Sequence, residues 1–149
     1  MRHKMALLML AICATGALPA FPQAAPSTPC PVSYSSLSMP LRHQQGISTP
    51  MVELAFTNET RKKIVQARFG LLILDSGGHM VPYDKALTFS AGADPGKATK
   101  SEWALEMEKV DIEHMGETVY LKSARFEDNT TWQDDGNERC KYDVYFGPK

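Results

Sequence analysis

Few residues in this chain have the types and spacing that chemistry requires. Beyond residue 20 there are three histidines, His43, His79 and His114, separated by 36 and 35 positions. Zinc sites are built from closely spaced ligands such as His-x-x-x-His, and no such pair occurs. The expectation is three scattered surface histidines in loops, with no metal. Asp128, Asp134, Asp135 and Glu138 form a denser group around Gly136. Calcium wants several carboxylate oxygens about a tight turn, so this composition is suggestive. The spacing is not that of an EF-hand, which would put an acidic residue at position 130, where Thr130 stands. A solvated hairpin loop is the simpler reading. Serine, histidine and aspartate all occur, but no Gly-x-Ser-x-Gly elbow does. Gly77-Gly78 lacks the following helix that makes a phosphate loop useful. These absences point to a chain with no catalytic residues and no cofactor.

The cysteines say more. Cys13 lies in an N-terminal stretch with the three-part layout of a secretory signal peptide: basic Met1-Arg2-His3-Lys4, an apolar run from Met5 to Ile12, and small residues to Ala20. The run is shorter than the roughly 20 apolar residues that span a bilayer. Residues 1–20 therefore read as a leader, cleaved between positions 20 and 25. Leu10-Ala11-Ile12-Cys13 also resembles a lipobox, although Ile12 is large where a small residue is usual. Lipidation at Cys13 would make the protein a membrane-anchored envelope protein. Without it, no membrane contact is expected. Cys30 and Cys140 remain, and two thiols in an oxidising compartment pair. Their bond would close a loop worth about 4–5 kcal/mol in the chain-entropy treatment.

Between leader and domain, Pro22, Pro26, Pro29 and Pro31 punctuate residues 21–31, an extended tether. Residues 32–149 remain for one domain, an ordinary size. Hydrophobic residues make up 43% of the chain and charged residues 22%, which excludes a disordered chain. Loss of Arg2 and Lys4 with the leader leaves 14 bases against 17 acids. That mildly acidic balance lacks the basic footprint of a nucleic-acid binder.

The elements that position these residues are strands. Val52, Leu54 and Phe56 alternate on one face before a turn at Asn58-Glu59-Thr60. Val65, Ala67, Phe69, Leu71 and Ile73 form a longer strand with Gln66 and Arg68 opposite, apolar on both faces from Leu71 to Leu74 and so covered on both sides there. Asp75-Ser76-Gly77-Gly78 and Asp94-Pro95-Gly96 are turns, and Leu87-Thr88-Phe89 is a short strand between them. Ser101 to Val110 has helix-forming composition, with a capping-box pattern in Thr99-Lys100-Ser101-Glu102. Its alternation of Trp103, Leu105 and Met107 against Glu102, Glu106 and Glu108 favours a strand. Val119 to Phe126, a turn at Asp128-Asn129, and a closing strand with Cys140, Tyr142, Val144 and Phe146 on one face complete the set. About seven short strands predict an all-β antiparallel sandwich. Lys62, Lys63, Lys122 and Lys141 are candidates to blunt its edges. Trp103 is expected in the core. Trp132, beyond the turn, reads as an aromatic lid over one end or an exposed ligand contact. Asn58 and Asn129 each begin an N-glycosylation sequon in an expected turn.

Phe56-Thr57-Asn58, the run Phe69-Gly70-Leu71-Leu72-Ile73-Leu74-Asp75, Pro95-Gly96 and Trp103 resemble the small exported immunoglobulin-like domains of the FxLYD type. The likeness covers residues 50 to 110 and departs at Leu74, where that family carries tyrosine. It implies an envelope or secreted module without chemistry of its own. The chain thus reads as a secreted or periplasmic, non-enzymatic binding module. Its protein or cell-envelope partner would meet a sheet edge or the loops around 91–98 and 128–138. A small extracytoplasmic hydrolase is the alternative from another class.

Overall fold

A computed structural model describes residues 29–106 and 116–145. The leader with Cys13, the tether before Pro29, and Met107, Glu108, His114 and Phe146 lie outside the described residues.

Ten strands and no helix make up the described chain: β1 (Val32–Ser38), β2 (Leu41–Gln44), β3 (Ile47–Asn58), β4 (Ile64–Leu74), β5 (Met80–Pro82), β6 (Leu87–Phe89), β7 (Ala98–Ala104), β8 (Gly116–Phe126), β9 (Thr131–Gln133) and β10 (Lys141–Tyr145). Every pairing is antiparallel. In one sheet, the long β3 is flanked by β7 on one side and by β1 followed by β2 on the other. In the second, β4 and β8 form the centre, with β5 and β6 along β4 and β9 and β10 along β8. The protein is an all-β antiparallel sandwich, and its strand order fits an immunoglobulin-like arrangement.

The core forms where the alternation of the two sheets meets. Val52, Leu54 and Phe56 of β3 face Ala67, Phe69 and Leu71 of β4 and Val119 and Leu121 of β8, all essentially without solvent contact. Phe56 packs on Phe69 and Phe89 with ring centroids 5.3 Å apart in both cases, the tilted and edge-on geometries that aromatic quadrupoles favour. Cys30 and Cys140 form a disulfide with their Cα atoms 5.5 Å apart. Beside it, Tyr34 of the first sheet donates its hydroxyl to the Cys140 carbonyl at 2.9 Å and stacks on Tyr142. The two sheets are thus tied at one edge covalently and by an aromatic stack. Burial holds the Tyr34 hydroxyl in its neutral form, far above the ordinary tyrosine range.

Several sequence expectations need correction. Ile64, not Val65, enters the core, because a bulge between Ile64 and Gln66 inserts Val65 into the ladder and shifts its phase. Leu72 and Leu74 are only half-buried, since β5 continues the sheet edge instead of covering that face. His43 lies in β2, not in a loop. Lys122 lies on central β8, and Lys62 and Lys63 lie in a turn. Of the four lysines proposed to blunt edges, Lys141 alone stands on an edge strand. The segment from Ser101 is a strand, as its alternation indicated, and ends by Leu105, which is buried.

Candidate functional site

Two regions of the surface have the build of a recognition site: a loop cluster at one end of the sandwich, and one sheet edge.

The loop cluster is organised by Asn58. Its side chain is fully buried and saturated with hydrogen bonds: Nδ2 donates to the carbonyls of Lys62 and Ala93, each at 2.8 Å, and Oδ1 accepts from the Thr60 amide and hydroxyl. Asn58 therefore links the 58–63 turn to the 91–97 loop. Lys62 and Lys63 extend the linkage. Lys62 pairs with Asp128 at 2.5 Å, and Lys63 pairs with Asp94 at 3.1 Å while its carbonyl accepts the Glu127 amide. The 91–98 loop and the first residues of the 128–138 loop, both expected to meet a partner, thus share one end of the molecule through Lys62 and Lys63. The Lys62 ammonium and the Thr130 hydroxyl and amide hold the Asp128 carboxyl down to about 2. Because the Asn58 amide nitrogen is committed twice and the side chain is buried, a glycan on that sequon is incompatible with the fold. Asn129 is exposed, at a φ of 63° in the hairpin turn.

Beside this cluster a groove of about 710 Å³ is lined by Pro29, Pro31, Arg61, Phe126 and Trp132, with Cys30 at its wall. Trp132 is half-buried and packs against the core, so it closes one end of the sandwich while also lining the groove.

Of the four carboxylates read as a possible calcium site, Asp128 is held by Lys62 and Thr130, and Asp134 and Asp135 are spent on their own loop. Asp134 accepts the amides of Gly136 and Glu138, and Asp135 accepts that of Asn137 and pairs with Arg139 at 3.0 Å. Among the described residues, no three histidine, cysteine, aspartate or glutamate side chains are placed to hold a metal ion. One histidine contact was invisible in the linear spacing. The β2–β3 hairpin sets His43 opposite Ser48, with Oγ 2.8 Å from Nδ1. Both side chains are exposed, and no carboxylate among the described residues hydrogen-bonds the ring to orient it as a base, as a serine nucleophile would need. The contact is a cross-strand hydrogen bond.

The sheet edge is β7. It runs seven residues beside β3 from Ala98 to Ala104 without a bulge or a proline. Side chains alternate strictly along it, with Ala98, Lys100, Glu102 and Ala104 exposed and Thr99, Ser101 and Trp103 half-buried. Trp103 packs on Phe69 with centroids 6.1 Å apart and donates its indole N–H to the Thr88 carbonyl at 2.8 Å. Glu102 and Arg42 form an ion pair on the outer face. The ladder gives β7 a direction. Asn58 N–H bonds the Lys97 carbonyl and Leu105 N–H bonds the Pro50 carbonyl, so the odd-numbered residues address β3. The N–H and C=O groups of Ala98, Lys100, Glu102 and Ala104 point away from the sheet. No backbone hydrogen bond from them to any other described segment occurs.

The other edges are interrupted. Opposite β7 in its own sheet, β1 carries a bulge between Tyr34 and Ser36 and is separated from β2 by Met39-Pro40. In the second sheet, one edge is split into three-residue β5 and β6 and the other into three-residue β9 and five-residue β10. Short edge strands and bulges are how natural sheets discourage unwanted pairing. Compared with known proteins, the chain matches no protein-family model and no curated protein.

Proposed function

We propose that this is an extracytoplasmic, non-enzymatic interaction module that takes its protein partner by strand addition along β7. The observation that carries the reading is the unbroken seven-residue edge whose outward amides and carbonyls have no partner among the described residues, in a sandwich whose other edges are broken. Strand addition draws affinity from main-chain hydrogen bonds along such an edge and specificity from alternate side chains. The Cys30–Cys140 disulfide supports the compartment, since such bonds persist outside the reducing cytosol. The basic and apolar leader of residues 1–20 and the likeness to FxLYD-type exported domains point the same way.

A proline at Lys100 tests the edge. The Lys100 N–H points outward, so the substitution leaves the β3 ladder intact while removing a donor from the docking edge. Proteins that co-purify with the chain from its own host's extracytoplasmic fraction should be lost with Lys100→Pro and kept with Asp134→Asn in the loop. The reverse pattern would overturn the edge reading and move recognition to the loops. Hydrolytic activity of the purified chain would overturn the non-enzymatic one.

A further inference from the structure

The edge carries enough information to name an occupant. We infer that β7 receives a second copy of this chain: two β7 strands pair antiparallel about a twofold axis at Ser101 and join two β1–β3–β7 sheets into one. This rests on the edge reading above and specifies its partner.

Backbone direction limits the registers. Only Ala98, Lys100, Glu102 and Ala104 present outward N–H and C=O groups, so an antiparallel ladder must set even-numbered residues opposite even-numbered ones. Three twofold registers near the strand centre satisfy that. Centred on Lys100, the pairing sets lysine against lysine. Centred on Glu102, it sets glutamate against glutamate. Centred on Ser101, it sets each Lys100 opposite Glu102 of the second copy, and Ala98 opposite Ala104. Like charges directly opposite destabilise a ladder and unlike charges stabilise it, so charge selects the Ser101 register. That register also makes the fullest use of the strand, because all four outward residues of each copy meet outward residues of the other.

The side chains suit the same arrangement. Lys100 is exposed and forms no ion pair among the described residues, whereas Glu102 already holds Arg42. The second copy would place Glu102 between its own Arg42 and the incoming Lys100. On the core-facing side, Thr99 would lie opposite Trp103 of the second copy, covering an indole that one sheet leaves half-buried. The flanking alanines, Ala98 and Ala104, are small enough to let the backbones approach. The contact is isologous, the same strand meeting itself, and therefore closes as a dimer without propagating. Exposed ion pairs contribute little net affinity, so the charges act as register selectors and the dimer depends on concentration.

Sedimentation of the oxidised protein over a wide concentration range tests the inference, with thermal unfolding to show that each variant is folded. The wild-type should show a monomer–dimer equilibrium. Lys100→Glu and Glu102→Lys each set like charges opposite in all three registers, and should each weaken the dimer by about tenfold or more. The double variant K100E/E102K restores unlike pairs at the Ser101 register and should recover the dimer. Lys100→Pro should abolish it. A monomer at every concentration would overturn the second-copy inference, as would a dimer indifferent to both single charge reversals. If a monomeric wild-type still loses a co-purifying partner with Lys100→Pro, the edge reading stands and only its occupant is wrong. If neither self-association nor partner capture responds to the proline, both fail.

Discussion

The two sheets of this sandwich finish their edges in opposite ways. The β10–β8–β4–β5 sheet ends on both sides in short strands, which offer no long row of unpaired backbone groups. Its β6 edge is further occupied where the Thr88 carbonyl accepts the Trp103 indole. The β1–β3–β7 sheet ends in a bulged strand on one side and in the intact β7 on the other. A stable sandwich of this size does not need β7 to be continuous, because the core lies between the sheets. The contrast separates what keeps the fold together from what the fold leaves open. Substitutions at the features that tie the sheets together should lower stability, and substitutions at the outward-facing residues of β7, such as Lys100, should not.

The largest effect is expected at the bond between the sheets. Reduction of Cys30–Cys140, or Cys140→Ala, removes a crosslink spanning 110 positions and should lower unfolding free energy by about 4–5 kcal/mol in urea. Next comes Asn58→Ala. It removes one of the two donors to each of the Lys62 and Ala93 carbonyls and the acceptor of the Thr60 amide and hydroxyl, all at a fully buried side chain, and should cost about 2–4 kcal/mol by the same measurement. Lys100→Glu, by contrast, should change stability by less than about 0.5 kcal/mol, as exposed positions usually do. Equal losses at Asn58 and Lys100 would erase the distinction between scaffold and edge.

A subtler probe lies on the outer face of the second sheet. A Cβ on Gly70 would come within 2.2 Å of the Tyr120 ring, which lies over that glycine. Gly70→Ala must displace the ring and should cost about 1–2 kcal/mol. In a Tyr120→Ala background the same change should be far cheaper, and a double-mutant cycle reads the coupling. Burial, with Glu138 and Asp134 nearby, also raises the Tyr120 hydroxyl above its usual range.

The smallest effect is electrostatic. Asp128 ionises in the folded chain at about 2, held there first by Lys62 and then by Thr130. A carboxyl depressed by folding stabilises the protein fully above its unfolded value of about 4, and that contribution disappears as pH falls through about 2. Side-chain NMR titration should find Asp128 near 2 in the wild-type and closer to the ordinary range in Lys62→Ala. No movement on that substitution would show that Thr130 alone sets it.

Alternation made much of this fold legible. Val52, Leu54 and Phe56, and Ala67, Phe69, Leu71 and Ile73, occupy the core faces their period-two spacing indicated. Trp103 faces inward for the same reason. The reading failed where alternation is interrupted. The bulge at Val65 reverses phase without any marker residue, and β1, rich in serine with a bulge of its own, carries almost no pattern. The Gln45-Gly46 hairpin between β2 and β3 was missed, although Gly46 at a φ of 81° is a recognisable turn signal. Buried Glu117 also escaped notice, because it precedes the apolar stretch that marked β8. The candidate site was legible only in kind. Sheet-edge recognition follows from a sandwich in general, but which strand forms the open edge does not.

The sequence by itself determined the long alternating strands, most of the turns between them and a cysteine pair separated by 110 positions, because side-chain period and turn chemistry are local. Only the tertiary structure decided which strands became edges, that Asn58 is an interior hydrogen-bond hub and not a glycan acceptor, and that the backbone of Lys100 and Glu102 faces outward. Those properties depend on which strand lies beside which, and pairing between distant segments is set by the packing of the whole core.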